Sequence, residues 1–304
     1  MIHYPPGDGR NRHDPKRHAC PLCGSTGIRF HHHISHDSHP FDVDRCSDCG
    51  FIFMNPPFKD EVIEQFYRRE YYEGSAEYSY FDERGSEPYS RYVWNARLKT
   101  IRKYVPTGKL LDIGCAFGGF LSAASTWFEP YGIELSPYSA EHAQKRLQSP
   151  VHCGTIHDHP FKHGSFDVIT MVEVIEHVKD PLPLVQECRN LLREGGLLLV
   201  QTSNMDGLQA KCAGKDYAYY LPGHLSYFSR SNLTGALMDS GFKGVRAFQP
   251  VDFGLMPKLK KSRMNFQSTM DYLQWFRIGW YHYRSKIHLG DFALTSSMVL
   301  YAFT

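Results

Sequence analysis

The sequence predicts an α/β fold built on a doubly wound sheet, and three observations carry that prediction. Short β-rich runs, KLLDIG, PYGIEL, FDVITMV and LLLVQTS, follow one another in the second two-thirds of the chain. Helix-like segments such as SAEHAQKRLQ and LPLVQECRNLLREGG separate them, and strands alternating with helices imply a parallel sheet covered on both faces. A turn of small residues, LLDIGCAFGGF, joins the first run to the helix after it. GVRAFQPVDF and SSMVLYAFT read as two final strands, and the Lys/Arg-rich, aromatic segment 255–290 between them reads as a helical insertion.

With 304 residues the chain exceeds one average domain and accommodates a large unit plus a smaller module. Hydrophobic residues at 42% and charged residues at 22% are globular proportions, and a formal net charge of +2 gives no field of the kind that holds a long nucleic acid. The N-terminus MIHYPPGDGRNRHDPKR lacks the apolar core of a secretory signal, and no apolar run is long enough to span a bilayer. A cytoplasmic protein is therefore expected, in which the eight cysteines need an explanation other than disulfides. Three regions follow from pattern: a Cys/His-rich segment 1–56, a helical linker or lid 57–105, and a ligand-binding domain 106–304. In the linker Trp94, Leu98, Ile101 and Val105 recur at helical spacing, with Ser86 and Pro88 as start signals.

Cys20-Pro-Leu-Cys23-Gly and Cys46-Ser-Asp-Cys49-Gly are two thiol pairs, each followed by a glycine that lets the backbone wrap a metal. Four thiolates satisfy tetrahedral zinc with no position left open, so the site is expected to be structural, a ribbon stapling a segment too short to build its own core. The histidines between His31 and Pro40 are expected on an exposed hairpin tip, with no ligand role.

In the glycine-rich turn, Gly114, Ala116, Gly118 and Gly119 let a ligand touch the backbone. Charge decides which ligand. Asp112 at the strand end would repel a dinucleotide's pyrophosphate but favours the cationic methionine end of S-adenosylmethionine, and the loop reads GxAxxG rather than GxGxxG. Glu134 closes the next strand, where a carboxylate can accept hydrogen bonds from both hydroxyls of a ribose.

These residues carry a resemblance. LDIGCAFGG, GIELS, FDVITMVEVIEHV and LLREGGLLLVQTSN, in that order over residues 90–304, resemble the class I S-adenosylmethionine-dependent methyltransferases. With CPLCG and CSDCGFIFMNP ahead and GHLSYFS behind, the whole chain is similar to zinc-ribbon methyltransferases of sugar, polysaccharide and natural-product pathways. The resemblance implies a Rossmann-like seven-stranded sheet. It places Asp112, Gly114, Ala116 and Gly118 along the cofactor's methionine end, Glu134 on the ribose, and Leu135, Ile156 and His157 about the adenine, with Met171 beside them.

Glu173, Glu176 and His177 follow FDVITMV at spacings that share one face of a helical turn, at the carboxyl end of a parallel strand where ligands bind. Three readings stand. His177 is a general base for an acceptor hydroxyl; or Glu173, Glu176, His177 and His224 bind a second divalent cation, which resembles the ExxEH site of small-RNA 2′-O-methyltransferases and of some ubiquinone-pathway O-methyltransferases; or Glu176 and His177 only hold the loop before Pro181, and His224 packs on Tyr227.

The aromatic loop Tyr217–Phe228 and the residues Trp275, Phe276 and Trp280 are expected to align the acceptor and close the site, or to serve as core or homodimer contacts. Lys258, Lys260 and Lys261 read as a solvated face. The expected activity is methyl transfer to a hydroxyl, or else a carbon, of a small-molecule acceptor such as a sugar or pathway intermediate. Two rivals are an RNA 2′-O-methyltransferase, which the near-neutral charge disfavours, and a non-catalytic zinc-ribbon binding protein.

Overall fold

The computed structural model describes residues 12–36, 39–66, 82–147, 149–290 and 292–304. The strands are β1 (Ile28–Ile34), β2 (Phe41–Cys46), β3 (Ile52–Met54), β4 (Gly108–Ile113), β5 (Phe128–Glu134), β6 (Val151–Cys153), β7 (Phe166–Val172), β8 (Leu192–Ser203), β9 (Ser226–Tyr227), β10 (Gly244–Phe248), β11 (His288–Leu289), β12 (Phe292–Ala293) and β13 (Ser297–Phe303). The helices are α1 (Asp60–Phe66), α2 (Glu87–Ile101), α3 (Gly119–Ala124), α4 (Pro137–Leu147), α5 (Pro181–Leu191), α6 (Leu208–Ala213), α7 (Arg230–Asp239), α8 (Leu255–Ser262) and α9 (Gln274–Arg284).

Seven strands form one sheet in the order β10-β13-β8-β7-β4-β5-β6. β4 pairs in parallel with β5 and β7, β5 with β6, and β7 with β8; β13 alone runs antiparallel, to both β8 and β10. Both faces are buried, as the alternation along the central strands dictates. Leu198 and Val200 of β8, with Met298, Leu300 and Ala302 of β13, join the apolar layer under α5 and α7. Leu197, Leu199, Val299 and Tyr301, one residue out of phase, join the layer under α2, α3 and α4. At ~1.5–3 kcal/mol per fully buried large apolar side chain, these two layers supply the main drive for folding. Strand order reverses on either side of β4, so a crevice opens at the carboxyl ends of β4, β5 and β7.

The expected helix ahead of the sheet is α2, with Leu98 and Ile101 fully buried. Ser86 occupies its N-cap position without capping through its side chain, so the start rests on Pro88 in the first turn. Residues 255–290 form α8, α9, short 3₁₀ turns and the strand β11.

The cysteine-bearing segment forms a second sheet, β1-β2-β3-β9. Its last strand comes from the far side of the sequence: Ile52 pairs with Tyr227 and Phe53 with Ser226. His31, His32 and His33 lie on β1 rather than at a hairpin tip, and two residues of the tip, 37 and 38, fall outside the described residues. Among the described residues no helix is long and apolar enough to cross a membrane.

Candidate active site at the carboxyl edge of the sheet

The cysteines converge. Cys20 Sγ lies 3.7 Å from Cys49 Sγ and Cys23 Sγ 3.6 Å from Cys46 Sγ. These separations are too long for a disulfide and close to the ~3.8 Å edge of a tetrahedron with ~2.3 Å metal–sulfur bonds. All four sulfurs fall within 4.8 Å of one another. Gly24 and Gly50, at φ 74° and 72°, let each knuckle fold back so that their amides reach the carbonyls of Cys20 and Cys46. The residues present therefore fit a tetrahedral zinc.

A cavity of about 1320 Å³ opens at the carboxyl ends of β4, β5 and β7. Asp112, Gly114, Ala116, Glu134, Leu135, Ile156 and His157 all line it. Gly118, the left-handed residue that caps α3, and Met171, fully buried within β7, do not line it.

The backbone of the β4–α3 turn explains why this sequence makes a crevice. Gly114 and Ala116 take positive φ of 73° and 45°, and a Cβ on Gly114 would stand 2.6 Å from Val174. That winding aims the amide of Ala116 at Glu134 Oε2 at 2.9 Å, while Ser136 donates its amide to Oε1 at 2.9 Å. Glu134 is thus a buried carboxylate on which two main-chain donors converge. Beside it Leu135 is 40% exposed, an apolar plate open to the cavity. Asp112 accepts a 2.5 Å hydrogen bond from the Thr170 hydroxyl of the neighbouring strand, and burial pushes its carboxyl up to about 7 against the pull of Thr170 and Arg97. An acidic end, an apolar plate and a fixed carboxylate fit a cationic nucleoside.

The turn after β7 differs from the regular helical turn expected. Glu173 has φ 54°, a strained value for a side-chain-bearing residue, and only Ile175–His177 form a 3₁₀ turn. The reversal tips Glu173 into the cavity, where Gln201 Nε2 donates to it at 2.9 Å. Glu176 instead points inward and is fully buried, accepting from Tyr219 at 2.5 Å and Thr202 at 3.1 Å. Enclosure pushes both carboxyls upward, and Glu176 adds to the push on Glu173.

His177 and His224 stand edge to face with centroids 4.7 Å apart. Each has its Nδ1 2.8 Å from a backbone carbonyl, that of Gly223 for His177 and that of Tyr219 for His224. A carbonyl can only accept, so each Nδ1 carries the proton and each Nε2 the lone pair. Enclosure lowers both imidazole pKa values, so both rings are neutral near pH 7. A carboxylate oxygen of Glu176 and one ring nitrogen from each histidine lie within 4.8 Å of one another; Glu173 is outside that group. The His224 ring lies against Tyr219 with centroids 4.3 Å apart, and its carbonyl accepts from the Tyr227 hydroxyl at 2.6 Å.

Tyr219, Gln201, Thr170, Thr202 and Arg97 complete the site and were not singled out by sequence; only the position of Tyr219 in the aromatic loop pointed to it. Two expectations are corrected. Phe276 and Trp280 are 79% and 70% exposed on the outer face of α9 and do not close the cavity, because the helical period turns Ile278 to the cavity instead. Lys258 and Lys261 lie on the cavity wall rather than on a solvated face; only Lys260 is exposed.

The sequence profile of the family described as "Methyltransferase domain" matches residues 87–247. A ubiquinone biosynthesis O-methyltransferase of Xanthomonas campestris pv. campestris is 33% identical over 111 residues, 34% of this chain and 46% of that protein. An uncharacterized protein of Methanocaldococcus jannaschii is 24% identical over 161 residues, 52% of this chain and 76% of that protein. The chain thus spans about half the length of the O-methyltransferases it matches. The structure of Haemonchus contortus phosphoethanolamine N-methyltransferase 2 in complex with S-adenosyl-L-methionine shares the fold, with a TM-score of 0.50 and 17% identity over 90% of this chain and 71% of that one. On the profile match, the strand order and the crevice at β4 and β5, the chain belongs to the methyltransferase domain family, as a class I S-adenosylmethionine-dependent member.

Proposed function

We propose that the protein methylates a hydroxyl group of a small molecule at a cluster formed by Glu173, Glu176, His177 and His224, that a divalent cation is held there, and that zinc fills the cysteine site. The observation that carries the reading is the pair of imidazoles whose Nδ1 atoms are tied to backbone carbonyls beside the Glu176 carboxylate. Such ties present neutral Nε2 donors, the usual arrangement behind metal-bound histidine. A histidine with a depressed pKa is a weak base, so deprotonation by His177 unaided is the less effective route.

S-Adenosylmethionine supplies an electrophilic methyl carbon on a sulfonium, and the remaining work falls to the chain: alignment, exclusion of water and removal of one proton. Asp112 and Glu134 hold the two ends of the cofactor. Glu176, His177 and His224 would hold the cation, which would lower the pKa of an acceptor hydroxyl. Glu173, tipped into the cavity and hydrogen-bonded by Gln201, takes the hydroxyl proton in its ionised form, which a cation held beside it would favour against the push of burial and Glu176. A concave crevice of about 1320 Å³ suits a small acceptor better than a polynucleotide.

Two expected results test the reading. Zinc-loaded wild-type protein binds one further Mn²⁺ in a calorimetric titration, and His224→Ala abolishes that binding while retaining one zinc per chain. In a panel of hydroxyl-bearing acceptors assayed by S-adenosylhomocysteine release, His224→Ala turns over ~10²-fold more slowly; wild-type protein that takes up no second ion and turns over equally well in chelator would refute the cation. The second test is pH. Protonation of Asp112 removes the charge that attracts the cationic cofactor, so affinity rises with pH up to about 7 and levels off above it. The rise approaches ~10-fold per unit below that value, and Asp112→Asn flattens it. A wild-type affinity that does not vary from pH 6 to 8 contradicts the assignment.

A further inference from the structure

The cavity wall carries several cations, and most have a protein carboxylate. Arg84 pairs with Asp82 at 2.8 Å, Arg97 with Asp252 at 3.2 Å, Arg146 with Glu87 at 2.6 Å, and Lys179 with Asp14 at 2.7 Å and Asp60 at 2.6 Å. Lys258 has no carboxylate partner among the described residues. It extends from α8 into the cavity near Phe253 and Ile278, with Nζ 5.9 Å from the centroid of the Tyr281 ring. Its charged neighbour is the guanidinium of Arg97, whose single carboxylate partner, Asp252, also accepts from the Tyr301 hydroxyl at 2.6 Å. His282, buried behind it, has no carboxylate to offer and is held neutral by that burial. Burial and Arg97 together lower the Lys258 ammonium to about 8. A half-enclosed ammonium facing a guanidinium, with Arg84, Arg97, Arg146 and Lys179 already compensated, is missing one counter-charge.

We propose that Lys258 receives an anionic group of the methyl acceptor, a carboxylate or a phosphate, so that the substrates of this enzyme are acidic small molecules. The proposal rests on the methyl-transfer reading and names the substrate class for that site. An acid bound here places its neutral, hydroxyl-bearing part in the same cavity as Glu173 and His224. Arg97, the charged neighbour of Lys258, is engaged through Nε with Asp252 and through Nη2 with Gln201, which in turn donates to Glu173. A hydrogen-bonded chain thus runs from the neighbour of Lys258, through Gln201, to the proton-accepting carboxylate.

The test uses the full-length protein saturated with S-adenosylmethionine and two matched probe pairs, 3,4-dihydroxybenzoate against catechol and ribose 5-phosphate against ribose, with binding followed by calorimetry. In wild-type protein the anionic member of one pair is expected to bind at least ~10-fold more tightly than its neutral partner, and the pair that shows it identifies carboxylate or phosphate. Lys258→Met removes that preference, Lys258→Arg retains it, and neither changes S-adenosylmethionine affinity. Equal or no binding of both members in both pairs overturns the proposal, as does a preference that survives in Lys258→Met. Loss of S-adenosylmethionine affinity in Lys258→Met also overturns it, by assigning the lysine to the cofactor's own carboxylate. If wild-type protein itself fails to bind S-adenosylmethionine, the methyl-transfer reading fails first, and this proposal falls with it.

Discussion

Replacing Glu134 with alanine is expected to weaken S-adenosylmethionine binding by ~10²–10⁴-fold in calorimetry, because two charge-assisted hydrogen bonds to a ribose are worth ~1.5–3 kcal/mol each. The loss has a second source in the protein itself. The Ala116 and Ser136 amides that now converge on the carboxylate would lose their acceptor, and the Ala116 turn, at φ 45°, would lose what holds it in that conformation. Glu134→Gln tests the same geometry more gently, since its side-chain NH₂ would meet a main-chain donor. Joining Asp112→Ala to Glu134→Ala removes both ends of the grip. An affinity unchanged in that double variant, in protein that still melts cooperatively, would mean that the cofactor lies elsewhere.

Cys46→Ser is expected to release the zinc and to lower turnover by ~10–100-fold, the range seen when a support behind a metal-ligand shell is removed. The route is structural. Cys46 ends β2, whose partner β3 pairs with β9. Met54 donates its amide to the Leu225 carbonyl at 2.9 Å, and Leu225 donates its own to the Glu176 carbonyl at 2.7 Å. The ribbon thus reaches Glu176 and His224 through two main-chain hydrogen bonds, and Phe51 packs on Phe228 with centroids 5.0 Å apart. The crevice of Asp112 and Glu134 lies on β4 and β5, away from β3 and β9, so S-adenosylmethionine binding should survive. Metal content by mass spectrometry together with turnover checks the result; a zinc-free Cys46→Ser protein of full activity would show that the ribbon does not support the site.

Much of the site was legible because its signals are local. A CxxCG knuckle, a turn of small residues between a strand and a helix, and an acid at a strand end each need only a few neighbouring residues to announce their chemistry. The fold class followed for the same reason, since period and alternation are properties of short windows. Lys258 shows the limit. Its neighbours in sequence, Lys260 and Lys261, make it look like part of a solvated face, and nothing local says that α8 will supply part of the cavity wall.

By itself, the sequence determined the parallel sheet, the thiol set and the acidic pair at the strand ends, because each is written in residues close together along the chain. Only the tertiary structure decided that β9 completes the ribbon's sheet, that Tyr219 and Thr202 hold Glu176, that Glu173 turns away from the 3₁₀ turn, and that Lys258 on the cavity wall has no carboxylate partner among the described residues. Those outcomes depend on contacts between segments tens to hundreds of residues apart. Their pairing is selected by the packing of the whole core, to which no short window has access.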